Sequence, residues 1–159
     1  MKLIKPSYEI WQQAPGLEGI YKQIERVGRV CYRSEDKITE DSAKPFVDRM
    51  IKSGHGAMLE HGTVYLKTND EYYGNPIDKY RDNKYSQLKS INGTKYVTTN
   101  LRILVENNWL DDLKYLCEPT EYHERRITVH FVCDRGVSHE FVRHRVFSFA
   151  QESTRQWRH

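Results

Sequence analysis

One short stretch in the C-terminal part of the sequence constrains the fold most, because its apolar side chains recur at every second position. These positions are Ile127, Val129, Phe131 and Cys133, and the residues between them are Thr128, His130 and Val132. Successive side chains of a β-strand point to opposite faces of a sheet, so the pattern predicts a strand over residues 127–133. A chain with this strand must form a sheet and cover one of its faces.

Two earlier stretches have helical periodicity instead. The first predicts an amphipathic helix over residues 17–31, preceded by Pro15 and Gly16, and the second predicts a helix with Pro45 in its first turn and Gly54 at its end. The apolar positions of the two helices are Leu17, Ile20, Ile24, Val27, Val30 and Cys31, and then Phe46, Val47, Met50 and Ile51. With the strand, they predict an α+β fold in which helices pack on a small antiparallel sheet.

The remaining elements are predicted from shorter signals. Polar and apolar side chains alternate over residues 63–67, which predicts a strand. Residues 68–96 are expected to form an excursion on the protein surface. Thr98 or Thr99 is expected to cap a helix that ends at Asn107, and a second short helix should follow it as a helical hairpin. After the strand at 127–133, a turn over residues 134–136 should lead to a last helix. Ser138 is its expected N-cap, with Glu140 in the first turn.

Length and composition indicate one soluble domain over residues 1–159. The chain is 38% hydrophobic and 30% charged, and it has neither an apolar run long enough to cross a bilayer nor a secretory signal, so a cytoplasmic location is expected. Its three cysteines include no Cys-x-x-Cys pair, which favours reduced, buried thiols. The formal net charge of +3 is small, so basic character is local to the C-terminal region.

That basic region is the densest concentration of reactive side chains in the sequence. Between residues 138 and 155 it holds three arginines, two histidines, a glutamine and several hydroxyls; the residues concerned are Ser138, His139, Arg143, His144, Arg145, Gln151, Ser153, Thr154 and Arg155. Arginine presents a planar fork of donors that fits phosphate or carboxylate oxygens two at a time. An anionic small molecule is therefore one candidate partner, and the alternative is a helix end whose charges face water.

Two other chemical interpretations fit the spacing poorly. A zinc-protease motif needs histidines four residues apart, but His139 and His144 are five apart, which on a helix turns the second imidazole by about 100° away from the first. No metal is therefore expected. A serine hydrolase pairing Ser153 with His144 would need a Gly-x-Ser-x-Gly turn, and none surrounds Ser153.

The arrangement Arg143-His144-Arg145, then seven residues, then Ser153 resembles the signature of the flavin-dependent thymidylate synthases. Residues 54–61, Gly-His-Gly-Ala-Met-Leu-Glu-His, resemble the family's Gly-His…Glu-His segment, and residues 28–32 resemble the end of its first helix. The resemblance spans about residues 17–155. Ala57 departs from it, because many members have a serine or threonine at this position.

The resemblance implies binding of FAD and of deoxyuridine monophosphate (dUMP). The implied flavin contacts are His55, Ala57 through its backbone, Arg143, His144, Arg145 and Gln151. The implied substrate contacts are Glu140, Arg143, Gln151, Ser153, Thr154 and Arg155. Ser153 and Arg155 are the candidate catalytic residues, with binding and polarising roles, since an unassisted serine is a weak nucleophile.

The resemblance also implies a reaction and an assembly. The reaction is the reductive methylation of dUMP to dTMP, with methylenetetrahydrofolate as carbon source and NADPH-reduced FAD as hydride carrier. Family members are homotetramers with active sites between subunits, and neither nucleic acid nor a membrane is an expected partner. They also continue past the motif into further helices, so the C-terminal part of the family domain is expected to lie outside these 159 residues.

Two alternatives remain open from the sequence. A nucleic-acid-binding module would use four arginines interleaved with aromatic residues, namely Arg143, Arg145, Arg155 and Arg158 with Phe147, Phe149 and Trp157. Its affinity should fall steeply with salt and should not depend on flavin. A catalytically inactive structural member of the family would keep the fold and bind neither ligand.

Overall fold

The computed structural model describes residues 5–69, 75–144 and 146–153. Its helices are α1 (Gly16–Tyr32), α2 (Ala43–Lys52), α3 (Gly56–Leu59), α4 (Leu101–Glu106) and α5 (Arg135–Phe141). Its strands are β1 (Ser7–Trp11), β2 (Thr63–Asn69), β3 (Gln87–Ile91), β4 (Thr94–Asn100) and β5 (Thr128–Val132). Three 3₁₀ helices cover Glu35–Lys37, Pro76–Asp82 and Leu110–Tyr115. The α+β class is confirmed.

The strands form two separate antiparallel sheets. β4 lies in the middle of a three-stranded sheet of order β2-β4-β3, in which Thr63 is opposite Asn100. β1 and β5 form a two-stranded ribbon, in which Ser7 is opposite Val132. The strand expected over residues 127–133 is therefore confirmed, but its partner is the N-terminal strand β1, which the sequence patterns did not predict.

The hydrophobic core lies between the helices and the three-stranded sheet. α1 contributes Ile20 and Ile24, α2 contributes Phe46, and β2 contributes Leu66, all of them buried. α1 passes close to α2 at Gly28, where an added Cβ would lie 2.5 Å from the Phe46 ring. The two helices expected from periodicity are confirmed, because their apolar stripes face this core.

α1 ends immediately before a residue in the left-handed conformation. Arg33 has a φ of 50°, its N–H donates to Val30 O at 3.2 Å, and the N–H of Ser34 donates to Arg29 O at 2.9 Å. These bonds satisfy carbonyl groups that the end of a helix leaves unpaired. They also turn the chain sharply after Tyr32.

The expected surface excursion over residues 68–96 is wrong, because the 3₁₀ helix Pro76–Asp82 places Ile77 and Tyr80 in the hydrophobic core and the second half is a regular hairpin. A β-hairpin formed by β3 and β4 occupies this region, and its turn is Asn92-Gly93, with φ values of 48° and 72°. Two successive positive φ values are the geometry of the tight turn that Asn-Gly favours between strands. The dipeptide was therefore a usable signal for the hairpin.

Two expected helix caps are also wrong. The residue that caps α4 comes later in the sequence than expected, and the residue that caps α5 comes earlier. Asn100 caps α4 by accepting a hydrogen bond from the N–H of Ile103 at 3.2 Å, whereas Thr98 and Thr99 belong to β4. At α5 the cap is Asp134, which accepts from the N–H of Val137 at 3.1 Å. α5 therefore begins at Arg135.

The earlier start of α5 changes the positions of two candidate residues. Ser138 lies inside the helix, where its hydroxyl donates to the carbonyl of Arg135 at 3.0 Å. Glu140 lies near the C-terminal end instead of in the first turn.

The expected pair of short helices after β4 is present as α4 and the 3₁₀ helix Leu110–Tyr115. Trp109, between them, donates its backbone N–H to Leu104 O at 2.7 Å. Within the described ranges, no helix has the length and apolar character that spanning a membrane requires.

Candidate functional site

The basic motif begins at the C-terminal end of α5. Phe141, the last residue of the helix, stacks on Phe131 of β5 with ring centroids 5.1 Å apart, and this contact fixes the helix against the ribbon. Arg143 and His144 follow after Val142 and are exposed. The Arg143 guanidinium contacts the Glu140 carboxylate at 2.9 Å, and both side chains are mainly in solvent. The sequence predicted that this helix carries Arg143-His144-Arg145 at its far end, but α5 ends at Phe141, so Arg143 and His144 lie just beyond it.

Residues 146–153, called the motif loop below, are attached to the body of the protein at two places. The first attachment is at Glu60 and His61. The Ser148 hydroxyl donates to Glu60 Oε2 at 2.6 Å, and the His61 imidazole has a hydrogen bond to the backbone of Phe149. Burial lowers the pKa of His61, which favours its neutral form in spite of the neighbouring Glu60 charge.

Glu60 is itself held by an arginine from another part of the chain. Its other carboxylate oxygen forms an ion pair with the Arg102 guanidinium, and Arg102 Nε also contacts Glu106 Oε1 at 2.6 Å. Arg102 therefore bridges two carboxylates, one of which holds the motif loop. A bridging guanidinium restricts the rotation of Glu60 and so fixes the oxygen that accepts the Ser148 hydroxyl.

The second attachment is at the end of α1. The backbone N–H of Ser153 donates to Cys31 O at 3.1 Å, and Glu152 forms an ion pair with Arg33 at 2.7 Å. The Cys31 thiol also has a hydrogen bond to the backbone of Gln151. Burial raises the pKa of Cys31, so its thiolate is disfavoured. All three cysteines are free thiols, as expected, although each is only half-buried.

The side chain of Gln151 connects the motif loop back to α5. Its Nε2 donates to Ser138 Oγ at 2.7 Å. A loop that contacts α1, the residues that follow α3, and α5 at separate points has few alternative conformations, because each contact removes some of its freedom.

His55 lies on the same side of the molecule as the α1 attachment, because it contacts Tyr32. The Tyr32 hydroxyl and His55 Nδ1 are 2.9 Å apart, and the two rings are within 24° of parallel. His55 immediately precedes α3, and Ala57 is an exposed residue of that helix. Tyr32, which follows Cys31, therefore links His55 to the α1 end that holds the motif loop.

The structure brings some of the candidate residues together and leaves others apart. Gln151 and Ser153 meet the end of α1, and His55 reaches the same helix end through Tyr32. Glu140 and Arg143 pair with each other on the exposed side of α5. Three of the candidates, Arg145, Thr154 and Arg155, lie outside the described residues.

Two contributors to this site were not singled out in the sequence. Arg102 and Ser148 both contact Glu60, from 42 and 88 positions away along the chain. No local pattern marks either residue, because contacts over such separations depend on how the elements pack. Among the described ranges, no group of three His, Cys, Asp or Glu side chains is placed to hold a metal ion.

No known family model, curated protein or solved structure matches this chain. The functional interpretation therefore depends on the residues of the site. The most informative fact about them is that the motif loop contacts both earlier segments, residues 28–32 and 54–61.

Proposed function

We propose that the protein is a flavin-dependent thymidylate synthase, which methylates dUMP to dTMP with methylenetetrahydrofolate as carbon source and NADPH-reduced FAD as hydride carrier. One observation carries the proposal: three segments that resemble this family in sequence contact one another in space. Ser148 reaches Glu60, Ser153 reaches Cys31, and Tyr32 reaches His55.

These contacts support the proposal because nothing in the sequence spacing requires them. Ser148 and Glu60 are 88 positions apart, and Tyr32 and His55 are 23 positions apart. A basic helix end whose charges only face water would need no attachment to α1 and α3. The motif loop instead has side-chain or backbone bonds to both helices or their flanking residues.

The exposed Arg143 and His144 side chains at the end of α5 suit a flavin. When bound, the flavin supplies the hydride for the reduction, and its reduced ring carries negative charge that nearby cations stabilise. Arg143 and His144 are exposed and adjacent, so both side chains are accessible to a ring that approaches the end of α5. The Arg143–Glu140 pair is solvent-exposed and therefore weak, so an anionic ligand can displace the Glu140 carboxylate at small cost.

His55 and Ala57 would border the flavin from α3. His55 is held by the Tyr32 hydroxyl at Nδ1, which orients its ring. Ala57 has no hydroxyl, so only its backbone is available for a polar contact with the cofactor.

Four described residues are proposed to bind the nucleotide, namely Gln151 and Ser153 of the motif loop and Glu140 and Arg143 at the end of α5. The Gln151 amide offers both a donor and an acceptor, as the edge of a uracil ring requires. Arg143 suits the phosphate because its donors match two oxygens at once. Thr154 and Arg155 complete the proposed set from outside the described residues.

The proposed chemistry uses no cysteine nucleophile, and the environment of two cysteines is consistent with that. Burial raises the pKa of both Cys31 and Cys117, so neither sulfur is prepared as a thiolate. Ser153 is assigned to binding and polarisation of the substrate, because a serine hydroxyl without an adjacent base is weakly nucleophilic.

The test of the proposed function is a product assay. Purified protein is incubated with dUMP, methylenetetrahydrofolate, NADPH and FAD, and dTMP is quantified by chromatography. We expect dTMP to form only when all four are present. Absence of dTMP in the complete mixture, from protein shown to be folded by circular dichroism, would contradict the proposal.

A further inference from the structure

A cleft of about 280 Å³ lies between the ribbon of β1 and β5 and the helix α1. Its remaining wall comes from the 3₁₀ helix Glu35–Lys37 and from Ile38, which follows it. Sites for drug-sized ligands measure about 300–1,000 Å³, so this cleft suits a smaller molecule. None of the residues assigned to the flavin or the nucleotide is among the described residues that line it.

The ribbon turns its more polar face into the cleft. Ser7, Glu9 and Trp11 share this face because successive side chains of a strand alternate, and His130 lies opposite Glu9 in the register. The other face carries large apolar side chains, of which Tyr8 is 69% exposed. The cleft is therefore lined by polar groups that a small polar ligand can reach.

Arg26 of α1 provides a cation in a defined orientation. Its guanidinium carbon Cζ lies 3.8 Å from the centre of the Trp11 ring, and Trp11 also stacks on His130 with ring centroids 4.5 Å apart. A guanidinium that stacks on a ring keeps the N–H donors along its edge available for hydrogen bonds. Within the described part of the chain, Arg26 forms no ion pair. Its fork of donors is therefore available to a carboxylate.

Two carboxylates line the same cleft. Among the described residues, the Glu35 carboxylate has neither a hydrogen bond nor an ion pair. The Glu9 carboxylate accepts one hydrogen bond, from Trp11 Nε1 at 3.0 Å, and a carboxylate has about four acceptor positions. An ammonium group has several donors and no acceptor, so it can bind to both carboxylates.

The rest of the wall is aliphatic. Val30, Ile38 and Val132 form it, and Ile38 is 43% exposed. The hydrophobic effect favours the burial of an aliphatic group against these side chains. The cleft thus combines a position for an anion, a position for a cation and an apolar surface.

We propose that this cleft binds a free α-amino acid with an aliphatic side chain. The ligand carboxylate binds to the Arg26 guanidinium, its ammonium group binds to Glu9 and Glu35, and its side chain packs on the aliphatic wall. A peptide fits less well, because only a free amino acid has both charges beside one carbon atom. The inference goes beyond the proposed function, since it uses no residue assigned to the flavin or the nucleotide.

The test follows N–H resonances in NMR spectra of the isotopically labelled full chain during a titration with L-leucine. The indole N–H of Trp11 is the reporter, because it donates to Glu9. We expect its resonance to shift and to reach saturation at millimolar leucine. The indole N–H of Trp109, which does not line the cleft, should not move. Absence of a saturable shift at Trp11 would overturn the proposal.

Two derivatives of leucine test whether both charges are recognised. Leucinamide lacks the carboxylate, and N-acetylleucine lacks the ammonium group. Each should bind roughly tenfold more weakly than leucine, because each loses charge-assisted hydrogen bonds. If either derivative binds as tightly as leucine, the missing charge is not recognised and the proposal is overturned.

Variants with matched controls locate the ligand. Arg26→Gln should weaken leucine binding by roughly tenfold, and Glu35→Gln by roughly threefold because the second carboxylate remains. Arg49 lies 5.8 Å from the Phe46 ring but does not line the cleft, so Arg49→Gln should leave binding unchanged. Asp36 follows Glu35 and is also outside the cleft, so Asp36→Asn should have no effect. Unchanged affinity in Arg26→Gln would place leucine elsewhere and overturn the proposal.

Competition separates this proposal from the proposed function. Neither FAD nor dUMP should displace leucine, and displacement by either would place leucine in the proposed active site and overturn a separate amino-acid site. If leucine binds but no dTMP forms in the product assay, the amino-acid site stands and the proposed function fails. If dTMP forms but leucine does not bind, the opposite holds.

Discussion

The two sheets of this protein are built from similar alternating strands but have different surroundings. In the three-stranded sheet, Leu66 of β2 is fully buried in the hydrophobic core. In the two-stranded ribbon, Phe131 of β5 is 49% exposed and Tyr8 of β1 is more exposed still. The first sheet provides stability, whereas the ribbon carries α5 and the basic motif at its end. The candidate site therefore lies on the less buried part of the molecule.

This difference shows that alternation predicts a strand but not its burial. Both β2 and β5 were predicted from period-two patterns. What covers each strand is decided by helices from distant parts of the sequence. A functional surface needs side chains that ligands can reach, and the thinly covered ribbon provides them.

The largest expected effect comes from shortening one apolar side chain in each sheet. Leu66→Ala should lower the free energy of unfolding by about 2–5 kcal/mol, because it leaves a cavity in the core. Phe131→Ala should lower it by less than Leu66→Ala, because half of the ring is already in water. Urea denaturation followed by circular dichroism measures both. Equal losses would mean that the ribbon is as tightly packed as the sheet.

A smaller effect is expected from loosening the motif loop. Glu60→Gln removes the charge that accepts the Ser148 hydroxyl and pairs with Arg102, and a hydrogen bond to a charged group contributes about 1.5–3 kcal/mol when well shielded. Because Glu60 is partly exposed, we expect about 1 kcal/mol and clearly faster hydrogen exchange over residues 146–153.

The matched control for this change is Glu106→Gln. Glu106 shares the same arginine, but within the described part of the chain it has no hydrogen bond or ion pair with the motif loop, so hydrogen exchange of the loop should stay close to wild type. Faster exchange in both variants would indicate that Arg102, and not the Glu60–Ser148 bond, controls the loop.

The smallest expected effect is a dependence of stability on pH through His61. Burial holds the folded-state pKa of His61 below the ordinary value of 6.5, so protons bind more tightly to the unfolded chain. The contribution of neutral His61 to the free energy of unfolding is complete above pH 6.5. It is lost as the pH falls from 6.5 to the lower pKa that His61 has in the folded protein. His123 should act in the same direction, since burial lowers its pKa too.

The two histidines can be separated by one substitution. In His61→Gln, the free energy of unfolding should fall less steeply below pH 6.5 than in wild type, and the remaining slope should include the contribution of His123. Urea denaturation at a series of pH values from 8 to about 5 measures the slope. An unchanged slope in the variant would mean that His61 accepts a proton in the folded protein as readily as in the unfolded chain.

The sequence predicted those elements whose signal is contained within a few residues. The helix over residues 17–31 and the strand over residues 63–67 were recovered because their apolar periodicity coincides with burial in the core. The hairpin at Asn92-Gly93 was missed although the signal was local, because tyrosine, asparagine and lysine around it obscured the alternation. The cap of α5 was misplaced because both Asp134 and Ser138 can serve as caps.

For the candidate site, the sequence predicted the residues of the motif but not what holds them. The helix before Arg143 and His144 followed from the sequence pattern, although it ends at Phe141 and does not include them as expected. The roles of Arg102 and Ser148 did not, because each depends on a contact with Glu60 that only the folded chain creates. The pairing of β5 with β1 was equally beyond a local pattern.

The most direct test of the central claim is the visible absorption spectrum of the protein after incubation with FAD and removal of unbound FAD, followed by a titration with dUMP. We predict a bound-flavin spectrum that changes as dUMP is added, and loss of the flavin in Arg143→Ala. Arg81→Ala is the matched control. Arg81 is a similarly exposed arginine, at 66% against 73% for Arg143, and it also pairs with a carboxylate three residues earlier. Flavin retained equally by Arg143→Ala and wild type, or no flavin retained by the folded wild-type protein, would contradict the claim.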